Sequence, residues 1–194
     1  MVRKYIHREH GKTYVYLVRH AQSKVPHGLH KFNPHIPLSK GGVIQAKALA
    51  KRFIPLKKYI DIFICSSQRR AVETAEAVAR IIKKRPIKSD DLWEFNKIFW
   101  TRKLYRYKYW KHWLKHKSNL KEFNSILKNN PGKVILIVAH GNVIKGILKN
   151  KRGLSLKKIK DLDYKNCHIT CLKFNGNKLE KAYCINSKEP VLFK

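Results

Sequence analysis

Apolar residues fall into two kinds of run along this chain, and the alternation between them sets out its architecture. Val15-Tyr16-Leu17-Val18 and Val134-Ile135-Leu136-Ile137-Val138-Ala139 are continuous, rich in β-branched residues and bounded by polar ones, the pattern of strands covered on both faces. Tyr59-Ile60-Asp61-Ile62-Phe63-Ile64-Cys65 reads as a third such strand. Between these runs the spacing widens to a helical period. Val43, Ala46, Leu49, Ala50 and Phe53 follow Ser39, which suits an N-cap, and Ala71, Ala75, Val78, Ala79 and Ile82 form a second stripe within 69–83. A shorter helix fits 120–128, stopped by Pro131-Gly132, and another fits about 142–149. The chain closes on an expected hairpin, 167–174 and 178–185, turning at Asn175-Gly176-Asn177.

Strand, helix, strand, helix in this order favours parallel pairing with helices on the faces. The expected fold is α/β: a three-layer α/β/α arrangement around a mostly parallel central sheet, with a C-terminal hairpin. With 194 residues, 43% of them hydrophobic, and no internal repeat or low-complexity linker, the chain reads as a single domain over 1–194. One segment breaks the pattern. All four tryptophans (Trp93, Trp100, Trp110, Trp113) crowd with Phe95, Phe99, Tyr105, Tyr107 and Tyr109 among many cations, which suggests a small helical cap inserted at about 93–130. Rings interleaved with cations could stack bases along a phosphate backbone, or pack as a lid. The helical spacing of Tyr105, Tyr109 and Trp113 favours the lid.

Charge narrows the partners. Lys and Arg number 44 against 12 Asp and Glu, a formal net charge of +32, which draws in anionic molecules. A nucleic acid or another polyanion is compatible with that field; so is a lysine-biased composition spread over every face. No apolar stretch approaches the roughly 20 residues a spanning helix needs, and the first residues lack the apolar centre of a secretory signal. A cytoplasmic location without membrane contact is therefore expected. Cys65, Cys167, Cys171 and Cys184 form no repeated close pair and read as buried, reduced thiols. In Cys167-His168-Ile169-Thr170-Cys171, alternation along a strand turns His168 away from the cysteines, so no metal site is expected there.

The candidate chemistry sits where strands end. Arg19 and His20 follow the first apolar run, Ser66 to Arg70 follow the second strand in the chain, and His140 follows the 134–139 run. Strand ends are where open α/β sheets hold ligands. Arginine brings a permanent charge and a planar fork of donors that matches a phosphoryl group.

These blocks also carry a family resemblance. Leu17-Val18-Arg19-His20-Ala21-Gln22-Ser23 resembles the Arg-His-Gly signature of the histidine phosphatase superfamily, the phosphoglycerate mutase-like proteins, with Ala21 in place of the glycine. Pro37-Leu38-Ser39-Lys40-Gly41-Gly42-Val43-Ile44-Gln45-Ala46 resembles its Leu-Thr-x-x-Gly-x-x-Gln-Ala helix start. Cys65-Ser66-Ser67-Gln68-Arg69-Arg70-Ala71-Val72-Glu73-Thr74-Ala75 is similar to its Ser-Ser-x-x-x-Arg-Ala-x-x-Thr-Ala block, and Val138-Ala139-His140-Gly141-Asn142 to its His-Gly motif. Leu92-Trp93-Glu94 is similar to its Leu-x-Glu segment, although Ile98 and Thr101-Arg102 depart from the glycine and Glu-Gly that follow in the family.

The resemblance implies a phosphatase that works through a phosphohistidine on His20, with Arg19, Arg70 and His140 around the phosphoryl oxygens and Glu94, ahead of Asp90 or Asp91, as proton donor. Cationic Arg19 and Arg70 are expected to hold the His20 pKa down and keep the ring neutral for attack. Gln22 and Ser23 could bind the substrate or simply turn the chain away from the strand. No metal or cofactor enters that scheme. The implied substrate is a small anionic phosphomonoester or a phosphoprotein. A mutase on the same fold and a non-catalytic polyanion binder are the competing readings.

Overall fold

The computed structural model describes residues 9–25, 33–94, 110–153, 165–184 and 191–192. The strands are β1 (Lys12–Arg19), β2 (Ile62–Ser66), β3 (Ile87–Ser89), β4 (Val134–Ala139), β5 (Ile169–Asn175), β6 (Lys178–Cys184) and β7 (Val191–Leu192). The helices are α1 (Lys40–Arg52), α2 (Arg69–Ile82), α3 (Trp110–Asn129) and α4 (Gly141–Arg152). One seven-stranded sheet orders them β3-β2-β4-β1-β5-β6-β7. Its first half, β3-β2-β4-β1, is parallel, and β5, β6 and β7 continue it by antiparallel pairing. β1 and β4 lie side by side in register, Val18 opposite Val138 and Arg19 opposite Ala139.

Alternation along these strands divides the core into two layers. Val15 and Leu17 of β1, with Ile135 and Ile137 of β4, face Phe123, Ile126 and Leu127 of α3 and Val143, Ile144 and Ile147 of α4. Tyr16 and Val18, with Leu136 and Val138, face the opposite way onto Leu49, Ala50 and Phe53 near the end of α1 and Ala71, Ala75 and Val78 of α2. Both faces are covered, which is why these strands read as unbroken apolar runs. The three-layer arrangement is the one expected. Ser39 caps α1, its hydroxyl accepting the Gly42 N–H at 2.9 Å.

Three differences are instructive. α3 starts ten residues before the expected 120, because the inward residues of its first half are polar: His116 and Asn119 are buried. The second half of α3 belongs to the helical layer itself through Phe123, Ile126 and Leu127. β3 and β7 are short, three and two residues, and β3 exposes Ile87 and Lys88, so no apolar run marks it. Cys167 lies in a turn at φ 60° ahead of β5, and His168 is buried. Cys65, Cys167 and Cys171 are free thiols. The ring-rich stretch 95–109, including Trp100, Tyr105 and Tyr109, lies outside the described residues; Trp113 is exposed on α3, with the Lys117 ammonium over its ring.

Candidate active site

The C-terminal ends of β1, β2 and β4 lie together in the parallel half of the sheet, and each delivers polar side chains to the same place. His20 follows β1, and its backbone N–H donates to the Ala139 carbonyl at the end of β4. His140 follows β4, and the two rings meet edge to face with centroids 5.0 Å apart. Arg70, in the first turn of α2, is 2% exposed and donates through Nε to His20 Nε2 at 3.3 Å. The neighbouring Arg69 points outward, its side chain 59% exposed and paired with Glu73. Glu94 closes the group: its Oε2 lies 3.6 Å from His140 Nδ1, and its Oε1 accepts the Asn142 N–H at the start of α4.

The hydrogen bonds assign the His20 tautomer. His20 Nδ1 lies 2.7 Å from the Ala21 carbonyl, which can only accept, so Nδ1 carries the proton. Nε2 is then the bare nitrogen, consistent with its accepting from Arg70. Burial, reinforced by Arg70 and Arg19, pushes the His20 imidazole down to about 3, so it is neutral across the physiological range. The arginines act in the expected direction, but burial is the larger cause. His140 is also held well below the ordinary histidine range, by burial first and then by Arg70. Glu94 moves the other way. Burial pushes its carboxyl up to about 7, against the opposing pull of Arg70 and Arg19.

Arg19 lies near enough to influence His20, His140, Arg70 and Glu94, and its side chain runs beside Gly141 at the start of α4. The N-termini of α2 and α4 open at the same place, and both ends favour negative charge. His20, Glu94 and His140 each bring a ligand-type atom within 4.8 Å of the others, a spacing that a divalent ion could accept. Two guanidinium groups beside that trio favour an anion instead.

The remaining motif residues hold the His20 loop. The Ala21 N–H donates to Thr74 Oγ1, whose hydroxyl donates to the Arg70 carbonyl, and the Gln22 N–H donates to Gln45 Oε1. Gly42 sits so close that a Cβ there would meet the Gln22 carbonyl oxygen at 1.9 Å. Asn166 Nδ2 donates to the His20 carbonyl. Gln22 directs its amide oxygen to the Ser39 hydroxyl, and Ser23 forms an isolated bridge with Leu38. Asp90 and Asp91 bond Ser67 and Ser118. Within the 66–70 stretch, two residues to which the sequence gives no individual role join the site: Ser66, whose Oγ lies 2.9 Å from His140 Nε2, and Gln68, buried beside Arg70.

The family model described as histidine phosphatase superfamily (branch 1) matches residues 15–186. The chain belongs to that superfamily. This histidine phosphatase superfamily member is 28% identical over 191 residues to a protein of Hydrogenobacter thermophilus that carries the provisional name phosphoserine phosphatase 2, covering 87% of this chain and 93% of that one. It shares its fold with the phosphoserine phosphatase of Entamoeba histolytica in complex with 3-phosphoglyceric acid, at 20% identity and a TM-score of 0.64 over 94% of this chain and 95% of that one. A phosphoglycerate mutase from Bacillus anthracis matches at 16% identity and a TM-score of 0.67, over 89% and 92% of the two chains. Among the described residues no helix is long and apolar enough to cross a membrane.

Proposed function

We propose that this protein is a phosphomonoesterase that hydrolyses small anionic phosphate esters through a phosphohistidine on His20. The observation that carries the reading is a neutral imidazole with a bare Nε2, held in tautomer by the Ala21 carbonyl and flanked by Arg70. Nε2 attacks phosphorus and forms a P–N bond while the ester P–O bond breaks. The leaving oxygen takes the proton that Glu94, with its raised pKa, still carries near neutral pH. Water then attacks the phosphohistidine, Glu94 removes a proton from it, and cleavage of the P–N bond returns the lone pair to Nε2. Arg19, Arg70 and His140 hold the equatorial oxygens throughout, so their contribution is positioning and electrostatics. Gln22 reaches substrate only by releasing the Ser39 hydroxyl, and Ser23 is held after His20 by its bridge to Leu38.

The substrate class follows from charge and from the relatives. A field of +32 favours a substrate with acidic groups beyond the phosphate, as phosphoserine and phosphoglycerate have. The test is a turnover screen over phosphoserine, phosphoglycerates, sugar phosphates, nucleotides and phosphopeptides, with His20→Ala alongside. Hydrolysis lost in His20→Ala supports the reading, and full activity in that variant overturns it. Transfer of the phosphoryl group to an isomeric hydroxyl, without release of phosphate, would assign a mutase instead.

The charge also favours a second reading, in which the protein binds a polyanion such as RNA. A steep loss of RNA affinity with added salt, in a protein that hydrolyses no aryl phosphate, would establish it.

A further inference from the structure

We infer that Gln68 is a positioning residue that couples Arg70 to Glu94. The inference rests on the phosphatase reading and extends it to a residue whose side chain bonds neither the His20 ring nor the Glu94 carboxyl. Gln68 is the last residue before α2 and is 1% exposed. Its Oε1 accepts from Arg70 Nη2 at 2.7 Å and from the Glu94 backbone N–H at 3.3 Å. A carboxamide oxygen has two lone pairs, and both are taken.

Those two donors belong to different elements, which Ser67 also joins through Asp90, the Trp93 indole and the Ser89 carbonyl. Arg70 rides on α2, while Glu94 ends the segment that follows β3 and the Asp90–Leu92 turn. The guanidinium is tied on its other side by the Asn33 carbonyl and His20, so Gln68 supplies the remaining restraint on the fork. On the Glu94 side, Asn119 of α3 donates to the Asp91 and Trp93 carbonyls and fixes the segment from behind. Gln68 fixes it from the pocket side. Gln68 is the link in this junction that reaches the guanidinium itself, so one oxygen atom ties the phosphate-holding group to the backbone of the acid.

Two substitutions separate this role from general support. Gln68→Met keeps length and volume but removes the acceptor; Gln68→Glu keeps an acceptor and adds a carboxyl. With Gln68→Met, kcat on an alkyl phosphate should fall by about ten- to a hundredfold, the scale of misplacing a catalytic group. The loss on p-nitrophenyl phosphate should be smaller, because that leaving group departs without a proton. Gln68→Glu should restore most of the alkyl phosphate rate at low pH and move the basic limb of its kcat profile upward, since a second carboxylate makes Glu94 harder to ionise. Equal losses on both esters, or a Gln68→Glu profile with an unmoved basic limb, would overturn the coupling. Should Gln68→Met fail to fold, the Gln68→Glu profile decides alone. Retained activity in His20→Ala would instead sink the phosphatase reading, and the two failures are distinct.

Discussion

His140 and Glu94 stand 3.6 Å apart, Nδ1 to Oε2, with their protonation preferences pushed in opposite directions: burial empties the imidazole of its second proton and keeps one on the carboxyl. A pair tuned this way holds a neutral histidine beside a neutral acid near pH 6. In water the same two groups would be an imidazolium and a carboxylate at that pH. The pair thus holds one proton on the carboxyl and places no negative charge beside His20.

The pH profile should report that proton. With Glu94 at about 7 and His20 at about 3, turnover of alkyl phosphates should fall as pH rises through about 7 and show no limb from His20 between pH 4 and 7. Glu94→Gln should remove the basic limb and slow alkyl esters far more than p-nitrophenyl phosphate. Equal slowing of both esters would reject Glu94 as the donor.

Arg70 should be irreplaceable by lysine. Its fork donates at once to His20, Gln68 and the Asn33 carbonyl, and an ammonium cannot reproduce that geometry. Arg70→Lys is expected to weaken vanadate binding and lower kcat/KM by at least about a hundredfold, on the scale of losing one preorganised donor to a developing oxyanion. Arg69→Lys, on the solvent side, should leave both within about twofold, as exposed ion pairs contribute little. Titration with vanadate gives the comparison directly.

Gly42→Ala tests the clamp on the His20 loop. The new methyl would collide with the backbone at Gln22, and overpacking of this kind costs about 1–3 kcal/mol. Thermal melts should show the loss, and activity should drop with it, because Gln22 is two residues from His20. Thr74→Val removes a different part of the clamp, leaving the buried Ala21 N–H without its acceptor, at about 1–3 kcal/mol.

Stability should respond to acid through the same rings. Between pH 6.5 and about 3 the unfolded chain binds a proton on His20 that the folded chain refuses, so this group's contribution to stability is lost as pH falls. Glu94 runs in the opposite sense, holding its proton in the fold up to about 7 and releasing it in the unfolded chain from about 4.5, so its contribution falls as pH rises. His20→Asn cancels only the first effect. Its melting temperature relative to the parent should therefore be higher at pH 5 than at pH 7.

Much of this arrangement is legible in the sequence because its two central strands are covered on both sides. Continuous apolar runs ending in Arg19-His20 and His140-Gly141 leave little freedom: the chemistry has to emerge at strand ends. Helix α2 was equally plain, since Ala71, Ala75 and Val78 repeat on one buried face. Two things escape that logic. The first half of α3 buries His116 and Asn119, so a polar inner face hides its period. Gln68 occupies a position that no motif specifies, and its role depends on a neighbour 26 residues away, the Glu94 N–H. In the sequence only the resemblance distinguishes Arg70 from Arg69; the burial of one and exposure of the other give the physical reason.

Because His20 donates its amide to Ala139 and Arg19 donates to the His168 carbonyl, the His20 backbone is stitched into the middle of the sheet and not its rim. Backbone amides there exchange with solvent deuterium only when most of the molecule opens, whereas β3 and β7 can fray alone. A molecule that has lost its outer strands to local opening would still carry both rings in place. Melting from the β7 edge and inactivation should consequently be separable events on heating, whereas opening at β3 loosens the segment that carries Glu94.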